Sequence, residues 1–299
     1  MVFLAGSKLL SPGPAIIPIM AVNRLKSLIG SSSRFGLGGE GVLRTTGRMP
    51  EALAMLRAAY DAGIRYFDAA PAYAESERYQ GRFWAQNPGA AAETFQAGKS
   101  AQRSAAGAAG ELKRTLGRLQ RDHLGLWQIH DVRTMEDIRM IGKPGGALEA
   151  FYAAREDGST RGIGVTGHHD PAVLLHAVST WDVDAVLLPV NPVEAALGGF
   201  TATVIPAARE RGIGVIGMKV LGAGTFLFPE SGLLPETLIR FALAQDVDLV
   251  IVGCSTPEEA RALVHAGSLP GTMGQEEQDR IIGTVRPYAE RLAFYRGVL

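Results

Sequence analysis

The sequence predicts a single closed barrel of eight parallel strands, each followed by helix, and three observations carry that expectation. Eight short β-type runs recur, at residues 35–39, 64–70, 94–100, 124–130, 162–167, 185–191, 212–220 and 248–254. They are almost wholly apolar rather than alternating, which marks strands covered on both faces and therefore parallel pairing. Between them, patterns such as 50–63, 146–158 and 234–245 repeat apolar residues three and four positions apart, as one buried helix face requires. Eight such units in 299 residues fit one (β/α)8 barrel. A doubly wound sheet shares the alternation and stands second.

The punctuation agrees. Pro50 and Pro257 sit at helix starts, with Thr256 placed to cap the second. Gly63, Gly158 and Gly212 sit where helices should stop. The tail, 275–299, reads as a further helical stretch lying across the barrel or over its mouth. No linker or low-complexity tract follows residue 35, so residues 25–299 form one barrel domain preceded by an extension, 1–24. That extension is apolar, but Pro12, Pro14 and Pro18 break it and Lys8 is its only early cation. It contains no run near the roughly 18 apolar residues a membrane span needs. It reads as a poorly ordered or surface-lying segment, with Met20 an alternative start.

Composition narrows the function classes. Hydrophobic residues make up 46% and charged residues 20%, a globular balance that excludes a disordered or fibrous chain. Thirty basic residues offset thirty acidic ones, leaving no global field for nucleic acid or anionic lipid. The single cysteine, Cys254, excludes an intrachain disulfide and a cysteine-clustered metal site, and no metal centre is expected. One free thiol fits a reducing, cytoplasmic location.

Barrels place their chemistry at the C-terminal ends of strands. The second run ends in Asp68, with Tyr73 five positions on; the third ends in Lys99; the fourth ends in His130 beside Asp131; the seventh carries Lys219. Singly each has an ordinary structural reading: a cap for Asp68, packing for Tyr73, a satisfied rim histidine for His130. Lys99 is the least ordinary, because an apolar strand seldom ends in an ammonium without a partner. Together the four form a proton-transfer unit. A phenol with a pKa near 10 is a poor acid at pH 7, and a neighbouring ammonium stabilises its phenolate. A carboxylate would hold that lysine, and a histidine would orient a carbonyl oxygen. Such a set suits carbonyl reduction with hydride from a cofactor.

These residues resemble the aldo-keto reductase family. IRYFDAAPAYAESE is similar to the segment carrying the family's catalytic Asp and Tyr, matched by Asp68 and Tyr73. The strand ending in GKS matches the catalytic lysine with Lys99, and LWQIH matches the catalytic histidine with His130. The likeness runs over about residues 25–266. It implies a (β/α)8 barrel, NADPH bound without a Rossmann domain, and reduction of aldehydes, ketones or sugars as small-molecule substrates. Tyr73 would be the general acid, tuned by Lys99 and Asp68, with His130 positioning the carbonyl.

By the same resemblance, Thr166, Asn191, Met218 and Lys219 would lie by the nicotinamide. Leu221, Gly222 and Gly224 would approach the pyrophosphate, and Gly253, Ser255, Thr256 and Arg261 the adenosine end. Several positions depart from the family pattern. Thr166-Gly167 replaces Ser-Asn, Leu187 replaces a Gln, and Met218 replaces an aromatic. Glu258 and Glu259 occupy the helix turn where a basic residue would meet the 2′-phosphate, so NADH remains open beside NADPH. Phe35, Trp127, His168 and His169 would line the substrate pocket with Tyr73. Two other readings compete: a cofactor-binding regulatory subunit with slow turnover, and a Schiff-base lyase using Lys99 or Lys219.

Overall fold

A computed structural model of the chain describes residues 22–30 and 34–297. Most of the N-terminal extension, Met20 included, lies outside the described residues. The strands are β1 (Phe35–Gly41), β2 (Tyr66–Asp68), β3 (Phe95–Ser100), β4 (Leu124–Ile129), β5 (Thr160–Thr166), β6 (Ala185–Pro189), β7 (Gly214–Met218) and β8 (Leu249–Cys254). Each pairs in parallel with its sequence neighbours. β1 pairs with both β2, through Leu37 opposite Phe67, and β8, through Phe35 opposite Val250. The barrel is closed, and the eight apolar runs are its eight strands.

Before β1 comes α1 (Arg24–Ile29). Helices α2 (Met49–Asp61), α3 (Ser76–Gln86), α4 (Pro88–Glu93), α5 (Ala105–Leu119), α6 (Met135–Gly142) and α7 (Ala147–Glu156) follow the first four strands. The second half adds α8 (Pro171–Thr180), α9 (Pro192–Leu197), α10 (Ile205–Glu210), α11 (Pro235–Ala244) and α12 (Pro257–Ser268), then α13 (Gln275–Val285) and α14 (Ala289–Leu292). Thr256 caps α12 by accepting the Glu259 amide at 3.3 Å. Gly63, Gly158 and Gly212 end their helices at φ of 102°, 82° and 68°, conformations that glycine adopts without a Cβ penalty.

Strand periodicity sorts the side chains into two layers. Tyr66, Ala97, Leu126, Ala185, Leu187, Ile216, Leu249 and Ile251 fill the barrel interior. The alternate residues, among them Leu37, Phe67, Trp127 and Val250, pack beneath the helices. Leu25 of α1 joins the interior set and is fully buried, so this short helix plugs the barrel floor. Its seat is Gly214, where an added Cβ would lie 2.1 Å from the Leu25 Cβ. Burying one leucine contributes about 1.5–3 kcal/mol. Asn23 caps α1, accepting the Lys26 amide at 3.1 Å, and donates to Asp248 at 2.9 Å.

Two expected pocket residues belong to the outer layer instead. Trp127 stacks on Phe151 of α7, with ring centroids 3.7 Å apart and planes 12° apart. Phe35 lies at the N-terminal end of β1 against α12, where an added Cβ on Gly267 would fall 2.2 Å from its ring. The cause is alternation: odd and even positions of these strands are both apolar, but only one set faces the barrel axis.

The tail returns over the mouth, as the sequence implied. Tyr295 donates to Glu194 at 2.7 Å, and Arg296 meets the same buried carboxylate at 3.0 Å through Nε. Glu194 belongs to α9, beyond the C-terminal end of β6, so the contact fixes the tail to the catalytic face of the barrel.

Candidate active site

Asp68 ends β2, and Lys99 is the penultimate residue of the adjacent β3. Both side chains are 1% exposed. The Lys99 ammonium donates to Asp68 Oδ2 and, at 3.3 Å, to the Ala69 carbonyl. Burial pushes the Asp68 carboxyl up and the Lys99 ammonium down, while each holds the other toward its charged form. A charge pair at this depth is stable only because it is mutual.

Tyr73 stands in the loop after β2, its amide bonded to the Ala70 carbonyl at 3.0 Å. Its ring lies 5.0 Å from the Lys99 Nζ and edge-on to His130, centroids 5.7 Å apart. Gly39 of β1 makes room: a Cβ there would lie 2.7 Å from the Tyr73 ring and 2.8 Å from the Asp68 carbonyl. Burial, then the carboxylates of Asp68 and Glu40, hold the phenol well above its ordinary value. The phenol therefore keeps its proton at neutral pH, the form that can donate one.

His130 follows β4, donating its amide to Ser100 at 2.8 Å while its carbonyl accepts from Arg103 at 3.0 Å. Burial and the Lys99 charge push the imidazole down to about 3, so the ring is neutral at pH 7. A neutral ring offers one N–H and one lone pair, which suits it to hold a carbonyl oxygen rather than to act as a strong acid.

Beside these groups a groove of about 460 Å³ opens along the ends of β1, β7 and β8. Asp68 and Tyr73 form one wall; Met218, Lys219, Leu221, Gly222, Gly224, Gly253 and Ser255 line the rest. The other expected cofactor residues are held by bonds within the protein. Thr166 accepts the Asp131 amide at 2.9 Å. Asn191 caps α9, accepting the Glu194 amide at 2.9 Å, and donates to the Lys219 carbonyl at 3.2 Å. Thr256 is engaged as the cap of α12, and Arg261 is exposed and paired with Glu258 at 2.5 Å. His168 and His169 lie under the tail, donating through Nδ1 to the carbonyls of Tyr295 and Arg296.

Two further carboxylates line the groove, and of these Glu40 escaped the sequence reading while Glu259 stands where the sequence placed it. Glu40 of β1 meets Lys219 at 3.6 Å and Arg44 at 3.0 Å. Glu259 accepts the Ser255 amide at 2.6 Å and so occupies the mouth of α12. The available signal for the first was its position, a lone charge in the glycine-rich run FGLGGEG. Cys254 is buried and burial pushes its thiol up to about 12, which makes it unreactive.

A closed barrel whose mouth carries a proton-bearing phenol over a buried ion pair falls in the class of NAD(P)H-dependent oxidoreductases. Residues 34–231 match the model of the Aldo/keto reductase family, and the chain belongs to that family. No curated protein matches it by sequence. Among solved structures it is similar to an aldo-keto reductase from Bacillus halodurans in its holo form, with 21% identity and a TM-score of 0.69. That match covers 84% of this chain and 93% of the other. An aldo-keto reductase from Klebsiella pneumoniae, solved in complex with NADPH, gives 16% identity and a TM-score of 0.69 over 85% of this chain and 92% of its own. One from Brucella melitensis gives 18% identity and 0.66 over 84% and 92%. Among the described residues no helix is long and apolar enough to cross a membrane.

Proposed function

We propose that the protein reduces small aldehydes or ketones to alcohols with NADPH, Tyr73 supplying the proton. The observation that carries this reading is the placement of a proton-bearing Tyr73 between Lys99 and His130, on the wall of the groove.

The residues present fit a dinucleotide. Gly222, Ala223 and Gly224 have φ of 54°, 53° and 89°, a turn of small residues that keeps side chains out of the groove. Their size supplies the fit, since the Gly222 and Gly224 amides already bond to Lys219 and Leu221 carbonyls at 3.2 and 2.9 Å. Lys219 adds a cation to the same wall. The Klebsiella relative was solved with NADPH. Glu259 at the start of α12 weighs toward NADH as the competing cofactor, because its charge opposes a phosphate there.

When bound, the nicotinamide supplies a hydride to the carbonyl carbon. His130, neutral, holds the carbonyl oxygen; Tyr73 gives that oxygen its proton; Lys99 and Asp68 fix the position and the field around the phenol. A Schiff-base role for Lys99 is disfavoured by its bond to Asp68, which keeps the amine protonated and in place.

Fluorescence titration with NADPH and NADH, followed by a panel of aldehydes, tests the proposal. Saturable binding with aldehyde-dependent cofactor oxidation supports it. Binding without turnover would favour a regulatory, cofactor-sensing role, and no binding would overturn the reading.

A further inference from the structure

Asp131, His168 and His169 gather at the ends of β4 and β5, outside the groove. The two imidazoles stack, centroids 4.4 Å apart, and each turns Nε2 toward Asp131 Oδ1 at 3.4 Å. Their tautomers are set from the other side. His168 Nδ1 lies 2.6 Å from the Tyr295 carbonyl and His169 Nδ1 lies 2.9 Å from the Arg296 carbonyl. A carbonyl oxygen only accepts, so both Nδ1 atoms carry hydrogen and, in the neutral rings, both Nε2 atoms present lone pairs. Three electron-rich atoms then face one another, and Asp131 Oδ1 and His169 Nε2 are buried without a hydrogen-bond partner. Such a juxtaposition repels unless a proton or a metal cation sits within it, and only a metal engages all three atoms at once.

We propose that Asp131, His168 and His169 form a binding site for a divalent transition cation of the zinc type. Bonds of about 2.0–2.1 Å to imidazole nitrogen and carboxylate oxygen at tetrahedral angles put ligand atoms about 3.3 Å apart, which matches the two 3.4 Å separations. The surroundings are those of a metal site. Each histidine donates its remote N–H to a backbone carbonyl, the usual orienting bond behind a metal-bound imidazole. Arg133 holds Asp131 Oδ2 through Nε at 2.8 Å, which leaves Oδ1 turned to the rings. Asp131 adopts φ of 57°, and Thr166 fixes its amide. Three protein ligands leave a fourth position for water or a small anion. Because the orienting carbonyls belong to the tail, the cation would also fasten residues 295–296 to the mouth of the barrel.

The test uses untagged, chelator-treated full-length protein, with Zn²⁺ and Co²⁺ alone as probes. Isothermal titration should show one saturable site, with Co²⁺ giving the intense visible absorption of a tetrahedral centre and Zn²⁺ raising the melting temperature. Asp131→Asn and His169→Ala should each weaken binding at least ~10-fold, whereas His265→Ala, at an exposed histidine, should leave it unchanged. Absence of a saturable site in the wild type would overturn the proposal. So would binding that survives both ligand substitutions in variants whose circular dichroism matches the wild type. Equal loss in the His265→Ala variant would count against it in the same way.

Discussion

The Lys99 ammonium bonds the Asp68 carboxylate from the neighbouring strand, and neither side chain reaches solvent. Two site residues are arranged around that pair: Tyr73 lies over the ammonium, and the His130 ring is kept neutral partly by its charge. Removing one partner leaves the other charged and buried. Lys99→Met should therefore destabilise the fold by about 3–5 kcal/mol, measured by urea denaturation. The double variant Lys99→Met with Asp68→Asn should recover much of that loss while remaining inactive. Equal stabilities for the single and double variants would remove the coupling.

Tyr73→Phe retains the ring that packs beside Gly39 and His130 and deletes only the proton carrier. Aldehyde reduction should fall by at least ~10²-fold, with cofactor affinity unchanged in fluorescence titration. Turnover near the wild-type rate would take the acid role from Tyr73.

Glu259 accepts the Ser255 amide at the start of α12, inside the groove. Glu259→Gln removes a negative charge from a helix N-terminus that would otherwise favour a phosphate. The ratio of NADPH to NADH affinity should rise by about 3- to 10-fold, read from parallel titrations at low salt. An unchanged ratio would place the adenosine end elsewhere.

Leu25 holds the floor of the barrel against Gly214. Leu25→Ala should cost about 2–5 kcal/mol, the range for emptying a packed leucine site. Thermal unfolding should move accordingly, with the kinetics of the remaining folded enzyme intact. A shift below 0.5 kcal/mol, about the surface-mutation scale, would mean the helix is not seated.

Asp248 sits at that same floor. Burial pushes its carboxyl up, but bonds from Arg209, Asn23 and the Val215 amide outweigh burial and hold it below its ordinary value. A depressed folded value contributes stability above the unfolded pKa of about 3.9, and that stability fades as pH falls through the folded value. Asp248→Asn should flatten the loss of stability as pH falls below about 5. Parallel acid limbs in wild type and variant would exclude the contribution.

How much of this was legible beforehand depends on whether the signal was local. The eight strands were, because each apolar run carries its own evidence of burial, and Asp68, Tyr73, Lys99 and His130 were marked by polar groups at strand ends. The directions of Phe35 and Trp127 were not. In strands apolar on both faces the pattern does not distinguish axis from helix layer, and Trp127 was claimed by Phe151. The bond from Asn191 to Tyr295 was not legible either, because that partner arrives from the far end of the chain. The meeting of Asp131 with His168 and His169 was likewise invisible, since it needs β4 and β5 aligned and the tail returned over both.

The pairing of β1 with β8 has a consequence for the order of assembly. Phe35 finds its partner Val250 only after more than two hundred intervening residues have been made. The Arg24 amide likewise waits for the Gly212 carbonyl, at 2.9 Å. During synthesis the first strand emerges with an open edge and the plug helix with no floor to close, so the growing chain carries a sticky apolar sheet until nearly the last strand is out. A ribosome stalled before Cys254 would therefore display an unfinished cylinder, with the free edge of its first strand still waiting for the last.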